Sequence, residues 1–251
     1  MTIFPDLAIP FLSGAQVPMY VNPFGAAAGR YRLALYPELG RKDRSVLVIG
    51  TTLQFQFKDG DSGLKWGAGE QKKFADDAVA AIKSVWDDKW RITTTSTAVR
   101  APFRDVGVIF VPKTYINGTH IDDDFEVVVK KIPRLTDSKS EIRAPLGNAW
   151  LDSEDLYPAY KGDSIQRPVV HEFGHMLGLK DEYDRRGGSA PNPNWLSDKQ
   201  SIMHSGERVR PRHYVPFATW LTRQLATVAK LTTRDVSYKV DGMWDASNAR
   251  L

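Results

Sequence analysis

The chain contains no cysteine. That excludes disulfide bridges, thiol catalysis and every zinc site built on thiolates. It leaves the compartment open. Long apolar runs are also missing. No stretch approaches the 18 or so consecutive apolar residues that read as a membrane-spanning helix. The first residues, Met1-Thr2-Ile3-Phe4-Pro5-Asp6, carry no basic segment, and Pro5 and Pro10 interrupt the apolar ones. No secretory signal is read there, which leaves a soluble protein that is cytoplasmic, matured from a longer form or exported by a non-classical or injection route. Charge is not lopsided: 34 basic residues face 30 acidic ones, too balanced to argue for nucleic acid. The basic groups at 41–44 and 208–212 read as solvated loops. Internal repeats and low-complexity segments are absent as well.

Histidine is scarce, with five in 251 residues, yet two of them stand four apart in His171-Glu172-Phe173-Gly174-His175-Met176-Leu177-Gly178-Leu179-Lys180-Asp181. This run fits HExxHxxGxxD. At the frequencies of this composition, HExxH arises by chance in about 0.3% of such chains. On a helix the two imidazoles lie one turn apart on one face and can share a metal ion. Glu172 sits beside the first, placed as the general base for a water. Ser164 is a candidate N-cap, Pro168 suits a first turn, and Val170, Phe173 and Leu177 form an apolar stripe away from the histidines. Gly178 suits the stop, because glycine takes the left-handed conformation without penalty. A bend there can bring Asp181 back as a third ligand. Two nitrogens and one oxygen leave a fourth position open, the mark of catalytic zinc. Glu182, Asp184, His204 and His213 are the rivals for the third place.

These residues resemble the signature of the metzincin metallopeptidases, and the aspartate in third place resembles the snapalysin branch. Ser201-Ile202-Met203-His204 resembles the methionine turn of that family, which would put Met203 beneath the imidazoles without touching the metal. The specific motifs span roughly residues 164–205. The resemblance implies a zinc-dependent endopeptidase with one catalytic Zn2+ and a polypeptide substrate. Glu172 would be the catalytic base, and His171, His175 and Asp181 the ligands. The cysteine-switch latency of some relatives is ruled out by the missing thiol. Some branches place a tyrosine two residues after the turn methionine, whereas this chain has Ser205. Candidate donors to the oxyanion or substrate are therefore Tyr183, His204, His213 and Tyr214. Two alternatives stay open: a zinc hydrolase of a non-protein amide or ester, and a non-catalytic protein stabilised by zinc.

The rest of the chain is read as one α+β domain, taken as a monomer. Residues 1–40, rich in Pro, Gly and Ala, form an extended arm or a propeptide-like segment. Residues 41–178 form a subdomain of sheet and helix that ends in the motif helix. Residues 179–251 form a smaller, mostly irregular and helical subdomain with the methionine turn. In the metzincin resemblance this becomes a twisted mixed sheet with two long helices and the zinc cleft between the two parts. Periodicity places strands at 45–58, broken at Gly50, at 91–99, at 105–111 stopping at Pro112, and at 125–132. It places helices near 69–89 and 216–230, the second with Phe217, Leu221, Leu225 and Val228 inward. Residues 134–145 read as a loop. Leu146–Leu151 reads as a short edge strand able to bind an extended substrate by strand addition. The acidic group at 122–124 and the loop at 185–194 are candidates for Ca2+, but neither has a full calcium-loop pattern, and solvated loops are the simpler reading.

Overall fold

The computed structural model describes residues 29–37, 43–61, 63–118, 123–134, 136, 139–183 and 192–241. Most of the segment read as an N-terminal arm, together with Asp122, Asp184 and most of the loop 185–194, lies outside these residues. The chain forms β1 (Arg32–Pro37), β2 (Ser45–Lys58), α1 (Ala68–Trp86), β3 (Ile92–Thr93), β4 (Asp105–Ile116), β5 (Phe125–Lys130) and β6 (Glu141–Arg143). Then follow β7 (Asn148–Asp152), β8 (Ala159–Lys161), β9 (Ser164–Gln166), α2 (Pro168–Met176), α3 (Val215–Ala229) and β10 (Lys239–Val240). The class is α+β. Eight strands make one mixed sheet in the order β10-β3-β4-β2-β5-β7-β6, with β1 added to β2, while β8 and β9 form a separate hairpin. No helix among the described residues is long and apolar enough to cross a membrane.

The central strand β2 runs unbroken through Gly50, contrary to the expected break. Its neighbour changes instead. β1 pairs antiparallel with residues 45–50, and β5 takes over in parallel from residue 53. At the handover Asp124 supplies the missing bonds. Its carboxylate accepts the Thr52 N–H at 2.7 Å and its own N–H donates to the Thr52 carbonyl at 2.9 Å. Arg32 approaches the same carboxylate at 3.6 Å. Asp124 thus completes the sheet.

Other expected elements shift for local reasons. β4 continues past Pro112 to Ile116. Beyond Val106 it pairs, among the described residues, with β2 alone, so the missing proline N–H on the other side costs no ladder bond. The threonine-rich segment yields only Ile92–Thr93. After it the hydroxyls of Thr94 and Ser96 accept backbone N–H groups of Ser96 and Ala98, which competes with strand pairing. The expected loop 134–145 contains β6, short and charged as outer strands often are. β6 pairs with residues 148–150 of β7. β7 is therefore not the sheet edge, and the expected strand addition at Leu146–Leu151 has no open register there.

One buried cluster joins the sheet to the helices. Trp86 from α1, Phe110 from β4, Phe173 from α2 and Phe217 from α3 meet edge to face, with centroids 5.7–6.1 Å apart. Such pairs each add about 0.5–1.5 kcal/mol beyond their buried area. The Trp86 indole N–H also donates to the Val170 carbonyl at 3.0 Å. These contacts fix how α2 lies against α1 and hence where its histidines point. Of the expected inward stripe of α3, Phe217, Leu221 and Leu225 are buried, and the Val228 side chain lies outside the description.

Candidate metal centre

The helix that carries the motif is nine residues long, not one of two long helices as expected. Its start is not capped by Ser164, which lies in β9. Arg167 holds the N-cap position, and its backbone N–H donates to Glu207 Oε1 at 2.6 Å while its guanidinium pairs with the same carboxylate. Pro168 occupies the first turn as expected. Gly178 ends the helix with φ +83°. Leu179 N–H then reaches the Gly174 carbonyl at 3.0 Å and Gly178 N–H the His175 carbonyl at 2.9 Å, a Schellman closure. The short helix ends one residue past His175, so the chain turns back at once.

That turn brings Asp181 to the histidines. Asp181 Oδ1 lies 3.3 Å from His171 Nε2 and 3.2 Å from His175 Nε2. The three donor atoms fall within 4.8 Å of one another. A tetrahedral zinc with bonds of about 2.0–2.1 Å would set its ligand atoms about 3.3 Å apart. The rings are oriented from behind. His171 Nδ1 donates to the Ile202 carbonyl at 2.7 Å, and His175 Nδ1 to the Leu179 carbonyl at 2.8 Å. Holding the remote nitrogen on a carbonyl fixes the tautomer and aims Nε2 inward.

His171 Nε2 is buried and has no hydrogen-bond partner among the described residues. With Nδ1 spent as a donor, a neutral ring turns its Nε2 lone pair toward a carboxylate oxygen. Such an arrangement repels unless a cation lies between, either a ring proton or a metal ion. Burial opposes a charge on His175, but Asp181 and Glu172 outweigh it and raise its pKa. Burial would likewise raise Asp181, yet the two rings hold its carboxyl well below the usual range. The donor set of two imidazoles and one carboxylate therefore fits a divalent ion such as zinc. Glu172 is buried on the same helix.

Met203 sits beneath this group. A Cβ added to Gly174 would come within 2.2 Å of its sulfur, so the glycine between the histidines is the space the methionine fills. The turn 201–204 also presents the Ile202 carbonyl to His171 and the Met203 carbonyl to the Glu182 N–H at 2.8 Å. Gln166, which sequence reasoning missed, anchors the turn from the other side. Its amide donates to the carbonyls of Ile202 at 2.9 Å and Gly206 at 2.7 Å. A lone glutamine in a short strand carries no pattern that would reveal this.

The remaining candidates divide. The Tyr183 ring, which meets that of His204 at 5.7 Å, lies 6.5 Å from that of His171 and so borders the site. His213 and Tyr214 do not. His213 accepts the Arg210 N–H on Nδ1 at 3.1 Å and meets Glu182 through Nε2 at 3.1 Å. Burial pushes this imidazole below its ordinary pKa against the pull of Glu182. The Tyr214 hydroxyl donates to the Trp86 carbonyl inside the core. Both belong to packing, because residues 211–214 form a buried turn of 3-10 helix. Glu182, once a rival ligand, is instead bound by Arg212 through two hydrogen bonds of 2.6 Å. Arg212 itself is buried, which corrects the reading of 208–212 as a solvated loop.

No family model, no curated protein and no solved structure matches this chain.

Proposed function

We propose that the protein is a zinc-dependent endopeptidase of the metzincin type. The observation that carries the reading is the convergence of two carbonyl-anchored imidazoles on one oxygen of Asp181, beside a buried glutamate. Zinc held by His171, His175 and Asp181 would polarise the scissile carbonyl and acidify a water. Glu172 would act as general base toward the attacking water and as general acid toward the departing amine. A structural zinc site has no use for such a base, which favours hydrolysis over the role of a stabilised binding protein. Tyr183, whose ring neighbours those of His171 and His204, and His204 itself would be the donors to the oxygen that gains charge.

A polypeptide is the substrate this arrangement suits best. The outer strand β6 packs against α2 and, among the described residues, pairs with β7 alone. An extended chain can pair along its other side. Exposure at the centre lies on the His175 and Asp181 side, at 16% and 13%, whereas His171 is closed off at 1%. A substrate would therefore approach from that side.

The deciding experiment compares wild type with Glu172→Gln, both loaded with zinc, on an unfolded protein substrate. Cleavage by wild type and a loss of about 100-fold or more in the variant, at equal zinc content, is the expected result. Equal turnover by both would remove Glu172 from the mechanism. Turnover of small amides or esters but of no protein would favour the non-peptidase hydrolase.

A further inference from the structure

We propose that Arg212 positions the carboxylate ligand Asp181 by clamping its neighbour Glu182, so that metal affinity depends on a residue that never meets the metal. The inference rests on the metal-site reading above. Asp181 belongs to the segment 179–183, which follows left-handed Gly178 and is neither helix nor strand. An aspartate also reaches less far than a histidine would from the same place, so the backbone at 181 must stand close to the ion and stay there.

The structure supplies the restraint one residue on. The Glu182 N–H donates to the Met203 carbonyl at 2.8 Å. Its two carboxylate oxygens take Nε and Nη2 of Arg212, each at 2.6 Å, and His213 Nε2 adds a bond of 3.1 Å. Arg212 is fixed in turn by Asp198 at 2.8 Å and by the face of Trp195, 5.1 Å from the guanidinium carbon. Consecutive Cα atoms are about 3.8 Å apart, so fixing Glu182 at both backbone and side chain fixes where Asp181 begins.

Energetics favour this role over simple stabilisation. The side chains of Arg212 and Glu182 are 2% and 3% exposed. Buried ion pairs recover little net stability compared with apolar packing of the same volume. A forked guanidinium offers what apolar packing lacks: two directional bonds that set orientation as well as distance. Metal sites need that precision, because their ligands must be held within about 0.5 Å.

The test uses the full-length chain, with zinc and cobalt(II) themselves as probes. Zinc affinity is measured by competition with a chromophoric chelator, the site geometry by the d–d absorption of bound cobalt, and folding by circular dichroism of the metal-free protein. Arg212→Lys keeps the charge and loses the fork. It should fold, bind zinc about 10–100-fold more weakly, and shift the cobalt spectrum. The paired variant Arg212→Leu with Glu182→Met leaves no buried charge unbalanced between the two and provides a second folded test. It too should lose affinity. A folded variant of either kind with wild-type zinc affinity and an unchanged cobalt spectrum would overturn the inference. Wild type that binds neither metal would instead overturn the metal site on which the inference rests.

Discussion

Met203 fills the space that a side chain at Gly174 would need: a Cβ there would stand 2.2 Å from the sulfur and 3.2 Å from the Trp86 ring. The glycine that separates the two candidate ligands on α2 is thus a packing requirement. Alanine would improve helix propensity by up to about 1 kcal/mol, but the clash should outweigh it. Gly174→Ala is expected to destabilise the zinc-free protein by about 1–3 kcal/mol. Adding Met203→Ala should restore part of that loss, so the two changes would be non-additive in urea unfolding. Simple additivity would show that the two residues are not in contact.

Metal removal is the second expectation. Wild type should carry about one zinc per chain, and His175→Ala none, by elemental analysis. Zinc binds only the folded site, so chelation should lower the melting temperature of wild type and leave that of the variant unchanged. A wild-type protein without metal, even after zinc is added back, would end the hydrolase reading.

How much of this was legible in the sequence depends on how narrowly chemistry constrains each residue. Metal ligation tolerates few side chains and few spacings. His171, His175 and Asp181 therefore stood out, and the structure brings their donor atoms together. Met203 was singled out by its distance from them, and its sulfur packs where a Gly174 side chain would stand. The supporting residues were not. Arg212 looked like part of a basic loop, because nothing in a local reading of 208–212 shows that Glu182, thirty residues earlier, lies against it. Short strands escaped for a related reason. β6, β8, β9 and β10 have two or three residues each, too few to display a period. β2 was legible as strand, but its change of neighbour after Gly50 depends on β1 and β5, and pairing partners leave no mark in the strand itself.

A third expectation concerns the rim. The Tyr183 ring packs near both His171 and His204. Tyr183→Phe should lower kcat by about 10²–10³-fold if its hydroxyl stabilises the oxyanion, with zinc content unchanged. His204→Ala serves as the comparison. A full effect at His204 and none at Tyr183 would transfer the role to the histidine.

The last expectation is a pH dependence that arises away from the ligands. Asp155 is buried next to the start of α2, where its carbonyl accepts the Val169 N–H. Its carboxyl accepts the Ser140 hydroxyl at 2.7 Å and the Asp152 N–H at 2.8 Å. Burial, helped by the charges of Asp152 and Glu172, pushes its pKa up to about 7, against an ordinary value near 3.9. Between those two values the folded protein keeps a proton that the unfolded chain has released. Stability therefore falls as pH rises through this window, and the cost is complete above pH 7 or so. The displacement corresponds to about 4 kcal/mol as an upper bound. Asp155→Asn keeps the shape: its carbonyl can accept the Asp152 N–H and its amide can donate to Ser140. It stays neutral at every pH. The variant should therefore gain on wild type steadily from about pH 4 to pH 7 and hold that advantage at pH 8, in urea unfolding of the zinc-free protein. Parallel stability curves for the two proteins would show that Asp155 is ionised throughout and bears no such cost.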